Sequence, residues 1–217
     1  MVIKELTLLT NNLVSTEGFY TKIVELPVLD RSETGISFSA GRTILSFNYA
    51  KQSNPFYHFA FSIPSNKIDE AHDFIAERTE ILPFNPGTTI ADFSSWNAHA
   101  FYFHDNQKNI VEFIAHHDLP NETYEPFTPS SIIGICEIGV PVEDVTEACK
   151  AFNEQYKVPY YVKGPRLTDF SVMGDEQGLF IVTKIGRGWL PTQEPAERYY
   201  TKVGFETETD TCNFVLS

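Results

Sequence analysis

One repeat restricts this chain more than any other feature of its sequence. At a constant offset of 132 positions, Glu5 meets Glu137, Leu13 meets Val145, Pro27 meets Pro159, and Phe38-Ser39 meets Phe170-Ser171. The same strand–helix–strand punctuation thus occurs twice at fixed spacing, as it does in a chain built from copies of one small unit. A unit of that size cannot cover both faces of its own strands, so the copies must pack on one another.

Periodicity supplies the elements, and they predict an α+β fold. IKELTLLT reads as a strand with Leu6 and Leu8 on one face and Glu5, Thr7 and Leu9 on the other. Ser15 or Thr16 is placed to cap a helix through GFYTKIVEL. Strands follow at 35–39 and 43–49, around the turn Ala40-Gly41-Arg42. A second unit opens with YHFAFSIP, where Phe59, Phe61 and Ile63 alternate with His58, Ala60 and Ser62. Its helix carries the stripe Ile68, Ala71, Phe74 and Ile75, capped by Ser65 or Asn66, and strands are expected at 87–93, 99–103 and 110–115. HHDLPNETYEPFTPSS then reads as a linker. The third unit has a strand at 132–142, a helix at 144–155 and a hairpin at 170–183, with the turn GDEQG longer than its counterpart. Beyond it there is no helix and room for one or two strands. The expected domains are a complete module of two units over 1–117, a linker over 118–130 and a partial second module over 131–217.

Composition enters as a set of exclusions. A formal charge of −13 argues against a nucleic acid or an anionic membrane as partner, because both call for a basic patch. No stretch approaches the roughly 18 apolar residues of a membrane span, and MVIKELTLLTNNL lacks the form of a secretory signal, which predicts a cytoplasmic protein. Cys136, Cys149 and Cys212 are odd in number and have no CxxC spacing, so neither a disulfide framework nor a zinc site is expected from them.

Four pieces of the sequence resemble a known superfamily, the vicinal oxygen chelate proteins, which include glyoxalase I, fosfomycin-resistance thiol transferases, bleomycin-binding proteins and extradiol dioxygenases. They are the opening strand with NNL and FYTKIVEL, the strand HFAFSIP, the segment SWNAHAFYFHDNQKNIVEFIA, and the repeat itself. The resemblance implies paired βαβββ units, with one full module and a partial second. It also implies metal ligands on the cleft side of several strands, at positions that fall here on Glu5, His58 and Glu112. Each of the three lies opposite the apolar face of its own strand. A further position used by glyoxalases falls on Ser46, a departure that lowers the glyoxalase reading. Glu5 stands where the family usually has histidine, so the site has two carboxylates and one imidazole, a hard set suited to one divalent ion among Fe, Mn, Zn, Ni and Mg.

Tyr102 holds a place where relatives put a substrate-contacting tyrosine, able to stabilise a developing oxyanion. Ser46, Trp96, Asn97 and His99 are expected to line the cleft, although a regular strand points His99 away from Tyr102. Arg166 and Arg187-Gly188-Trp189 are candidates for basic and aromatic substrate contacts but read sooner as surface loop, and Glu137 reads as a residue with no partners for a metal site in its own unit. The expected function is metal-dependent lyase, isomerase or ring-cleaving dioxygenase chemistry on a small oxygen-rich molecule. The alternative is a non-catalytic binding or drug-sequestering protein of the bleomycin-resistance type. The open strand edges of a partial module predict a homodimer.

Overall fold

The computed structural model describes residues 1–217, and its fold is α+β. The first unit comprises β1 (Val2–Thr10), α1 (Leu13–Lys22), β2 (Val28–Arg31), β3 (Gly35–Ala40) and β4 (Thr43–Tyr49). The second comprises β5 (His58–Ser62), α2 (Ile68–Ala76), β6 (Ile90–Phe93), β7 (Ala98–His104) and β8 (Ile110–His116). The third has β9 (Gly134–Val142), α3 (Val145–Tyr156), β10 (Phe170–Asp175) and β11 (Gly178–Lys184). A closing hairpin, β12 (Thr201–Glu206) and β13 (Thr211–Leu216), follows the third unit.

Local chemistry explains where the elements begin. Helix α1 starts earlier than the serine–threonine pair suggested, because the Asn12 side chain accepts from Ser15 N at 3.0 Å and caps the first turn. Thr16 is instead buried inside that turn, hydrogen-bonded to Thr10 at 2.8 Å. Asp144 caps α3 in the same way, accepting from Glu147 N at 3.0 Å. Helix α2 begins after Lys67 and has no side-chain cap, so neither Ser65 nor Asn66 plays that part.

The strands form two sheets, of order β13-β12-β1-β4-β3-β2 and β10-β11-β9-β5-β8-β7-β6. This corrects the expected pairing of modules. The two units of 1–117 do not share a sheet: the chain leaves one sheet after β4 and enters the other at β5. The reason is edge satisfaction. In each unit the first strand pairs on one side with the last, which leaves its other edge open. β5 fills that edge with β9, antiparallel, and β1 fills its own with β12. The second and third units therefore make the full module. The first unit and the closing hairpin make the partial one.

A cluster of 38 buried residues draws on both sheets and all three helices. Phe59 and Phe61, Val111 and Phe113, Phe101 and Phe103, and Phe180 and Val182 enter it from alternate positions of the seven-stranded sheet. The opposite face of that sheet carries a second cluster of 14, which includes Ala60, Ala100, Tyr102, Ile114 and Trp189. One irregularity breaks the alternation. The β5–β9 register shifts between Ala60 and Phe61, so that Phe61 pairs with Ile135 and Ala60 with Glu137. Cys136 is the extra residue of this bulge, and it turns to the same face as Glu137.

The two sheets are tied at one corner. Arg42 N donates to Ile133 O at 2.9 Å. Thr43 Oγ1 donates to Ile3 O at 2.8 Å and accepts from Ile135 N at 3.0 Å. Gly41, at φ +57, passes so close that an added Cβ would lie 2.3 Å from Ile133 O.

Candidate metal centre

Three adjacent strands, β8, β5 and β9, build the centre. Ala60 in β5 pairs with Glu112 on one side and with Glu137 on the other. Its methyl group leaves a gap that the two carboxylates enter from both sides. His58, two residues before Ala60, faces the same way. The ligand atoms of His58, Glu112 and Glu137 lie within 4.8 Å of one another, and the three residues are 6%, 2% and 3% exposed.

The histidine is preset for ligation. His58 Nδ1 sits 3.2 Å from Ile110 O, a contact that places the proton on Nδ1 and leaves the Nε2 lone pair free. Nε2 lies 3.5 Å from Glu112 Oε2. Burial lowers the His58 pKa to about 4, so the ring is neutral at ordinary pH.

The carboxylates are set against each other. Burial pushes Glu137 up to about 8. Burial, reinforced by Glu137, drives Glu112 well above the usual carboxylate range, and the Tyr102 hydroxyl beside it opposes that shift. Two buried carboxyls this close cannot both ionise unless a cation joins them. Glu137 Oε1, moreover, is buried with no hydrogen-bond partner, which costs free energy unless something fills the place. Two carboxylates, a neutral imidazole with a free lone pair and an orphaned carboxylate oxygen fit a divalent cation.

A cavity of about 520 Å³ opens over this cluster. Phe93, Trp96, Phe170 and Trp189 give it aromatic walls, and Lys163 and Arg187 stand at its polar side. Tyr102 is the direct cross-strand partner of Glu112 and is 3% exposed. Trp189 comes from the segment after β11, folded back by paired bonds between Gly186 N and Ala196 O and between Ala196 N and Arg187 O, both 2.8 Å. Its ring lies over Gly139, where an added Cβ would meet it at 2.7 Å, and 5.1 Å from the His58 ring.

No protein-family model and no curated protein sequence matches the chain. Solved structures do. A "putative dioxygenase" from Bacillus subtilis superposes with a TM-score of 0.60 at 15% identity, over 84% of this chain and 63% of that one. Glyoxalase I from Zea mays gives a TM-score of 0.52 at 15% identity, over 84% and 66%. A glyoxalase I variant from the same plant gives 0.53 at 14%, over 90% and 70%. The chain has the vicinal oxygen chelate fold. It spans a little under two thirds of the Bacillus subtilis chain that it resembles.

Measured against the ligand positions of vicinal oxygen chelate proteins, His58 and Glu112 come together and Glu5 does not join them. Glu5 lies in β1 of the six-stranded sheet, exposed, beside Gly204. Glu137 takes its place, because β5 pairs with β9 and not with β1. Among the expected cleft residues, Tyr102 and Trp96 line the cavity. Ser46 sits in the other sheet, hydrogen-bonded to Ser37 at 2.9 Å. Asn97 adopts a left-handed turn at φ 51 and donates to Asp118 at 2.9 Å. His99 lies on the strand face opposite Tyr102 and meets His117 at 2.7 Å. Glu137, Trp189, Lys163 and Arg187 were missed as site residues. Glu137 had a signal in its match with Glu5 across the repeat, and Arg187 and Trp189 had one in their basic and aromatic character, outweighed by the surface-loop reading.

Proposed function

We propose that this chain is a metal-dependent enzyme of the glyoxalase and dioxygenase kind, acting on a small oxygen-rich molecule by lyase, isomerase or ring-cleaving dioxygenase chemistry. The observation that carries the proposal is the buried group His58, Glu112 and Glu137 at the floor of an aromatic-walled cavity, with one carboxylate oxygen unpartnered. These three residues would hold the ion. Their hard donor set favours Mn, Fe(II) or Mg, with Zn and Ni as further fits. When bound, such an ion supplies Lewis acidity to neighbouring substrate oxygens.

The rest is done by the chain. Ile110 O fixes the tautomer of His58. Tyr102 directs a phenol at the floor, where it can donate to negative charge that develops on the substrate. Trp96, Phe93, Phe170 and Trp189 offer flat apolar walls, and with the buried floor they keep water from the reacting atoms. Lys163, paired with Asp118 and Glu176, and Arg187, paired with Asp169, hold the loops that border the cavity. We also propose a homodimer, since β2 and β13 end one sheet and β10 and β6 the other.

Elemental analysis of the purified protein, joined to a melting curve with and without a chelator, tests the reading. The expected result is stoichiometric divalent metal, a melting temperature that falls on chelation, and, in Glu112→Gln, loss of the ion held with His58 and of its share of the thermal shift. A metal-free protein indifferent to chelators and to added ions would overturn it. The aromatic cavity would then be that of a small-molecule binder.

A further inference from the structure

Further along the same sheet face lies a second cluster, which shares only Glu137 with the first. His116 follows Glu112 and Ile114 along the same face of β8, and its side chain is completely buried. Both of its ring nitrogens are without a hydrogen-bond partner. A neutral imidazole must keep one N–H, so at least one donor and one acceptor are stranded out of water. That is a cost which native structures rarely leave uncompensated. The nearest polar atom across the sheet is Glu137 Oε1, 4.0 Å from His116 Nε2, and this is the same oxygen found orphaned at the cavity floor. The third member is Cys136. The bulge in β9 turns it to the same face as its neighbour Glu137, which a regular strand would forbid. The ligand atoms of His116, Cys136 and Glu137 fall within 4.8 Å of one another.

We infer that His116, Cys136 and Glu137 form a second divalent-metal site, distinct in donor type from the first and joined to it through Glu137. The donor set decides the class of ion. A thiolate, an imidazole and a carboxylate suit a borderline, thiophilic ion such as Zn²⁺, whereas two carboxylates and an imidazole suit a harder one. Cys136 binds as the thiolate and its proton leaves to solvent, so uptake releases protons. The bulge then has a purpose: it sets adjacent residues of one strand on one face, so that Glu137 can serve both clusters. Neither Cys149 nor Cys212 belongs to the cluster.

Co²⁺ added to the chelator-stripped full chain reports the site directly, because thiolate ligation produces a near-ultraviolet charge-transfer band. Wild-type protein should show that band and bind two ions per chain, with Zn²⁺ displacing Co²⁺ and bleaching the band. Cys136→Ser and His116→Gln should each abolish or strongly weaken it while one ion still binds. Should either fold poorly, the double variant Cys149→Ser with Cys212→Ser leaves Cys136 as the sole thiol and must keep the band. Glu112→Gln should reduce the stoichiometry from two to one with the band intact. A single ion with the band would support this site and overturn the His58 centre. A single ion without the band, or a band that survives Cys136→Ser, would overturn the present inference.

Discussion

Glu137 is the residue on which the local electrostatics turn. Burial raises its carboxyl to about 8, so the folded metal-free chain holds a proton that the unfolded chain gives up near the ordinary carboxylate value. The stabilisation from that proton is complete at low pH and is lost as pH rises through about 8. The melting temperature of the metal-stripped protein should therefore decline between pH 5 and pH 8, roughly the window bounded by the two pKa values. Glu137→Gln should flatten the decline; an unchanged slope would mean that Glu137 does not titrate there. Tyr102 gives a sharper test of mechanism. Tyr102→Phe keeps the ring in its packed place and removes the donor beside Glu112. Once a substrate is in hand, turnover should fall by about 10², with the melting temperature little changed. Equal turnover would reduce Tyr102 to a packing residue.

At the scale of elements, one wall of the cavity over His58 depends on a close approach. Gly139 in β9 lets the Trp189 ring approach the strand closely, and an added methyl would meet the ring at 2.7 Å. Gly139→Ala should cost about 1–3 kcal/mol, as over-packing does. It should also shift tryptophan emission to the red as Trp189 is pushed out, which a urea melt monitored by fluorescence would register. This same contact shows why part of the site escaped a reading of the sequence. Alternation along single strands was legible: His58, Ala60 and Glu112 were placed correctly against Phe59, Phe61 and Phe113, because a two-residue period is a local property. Pairing between strands is not local. Nothing in NIVEFIA tells Glu112 whether its neighbour across β5 is Glu5 or Glu137, and adjacency in the chain favoured the wrong one. The repeat did mark Glu137, yet without the β5–β9 pairing it looked like a ligand with no companions. Trp189 has the aromatic character of a contact residue but reads sooner as surface loop, since its burial is created by a glycine fifty positions upstream.

For the molecule as a whole, the corner at Gly41 joins the two sheets. Its positive φ and its 2.3 Å clearance to Ile133 O admit no side chain without moving the backbone. Gly41→Ala should destabilise the chain by about 3 kcal/mol, a strain and a clash together, measurable as a lower urea midpoint. A midpoint within error of wild type would show that the sheets are held elsewhere.

The pairing of Val2 with Glu206 has a consequence for the order in which the protein can be made. Strands nearest in sequence finish the seven-stranded sheet, and with it the floor of the cavity, while β1 still lacks its second neighbour. During synthesis β1 leaves the ribosome roughly two hundred residues before its partner β12. Closing that long loop is slow compared with pairing nearby segments. A nascent or truncated chain without Thr201–Leu216 would thus carry a finished site and an unfinished rim, its edge from Val2 to Thr10 open to any other unpaired strand it met.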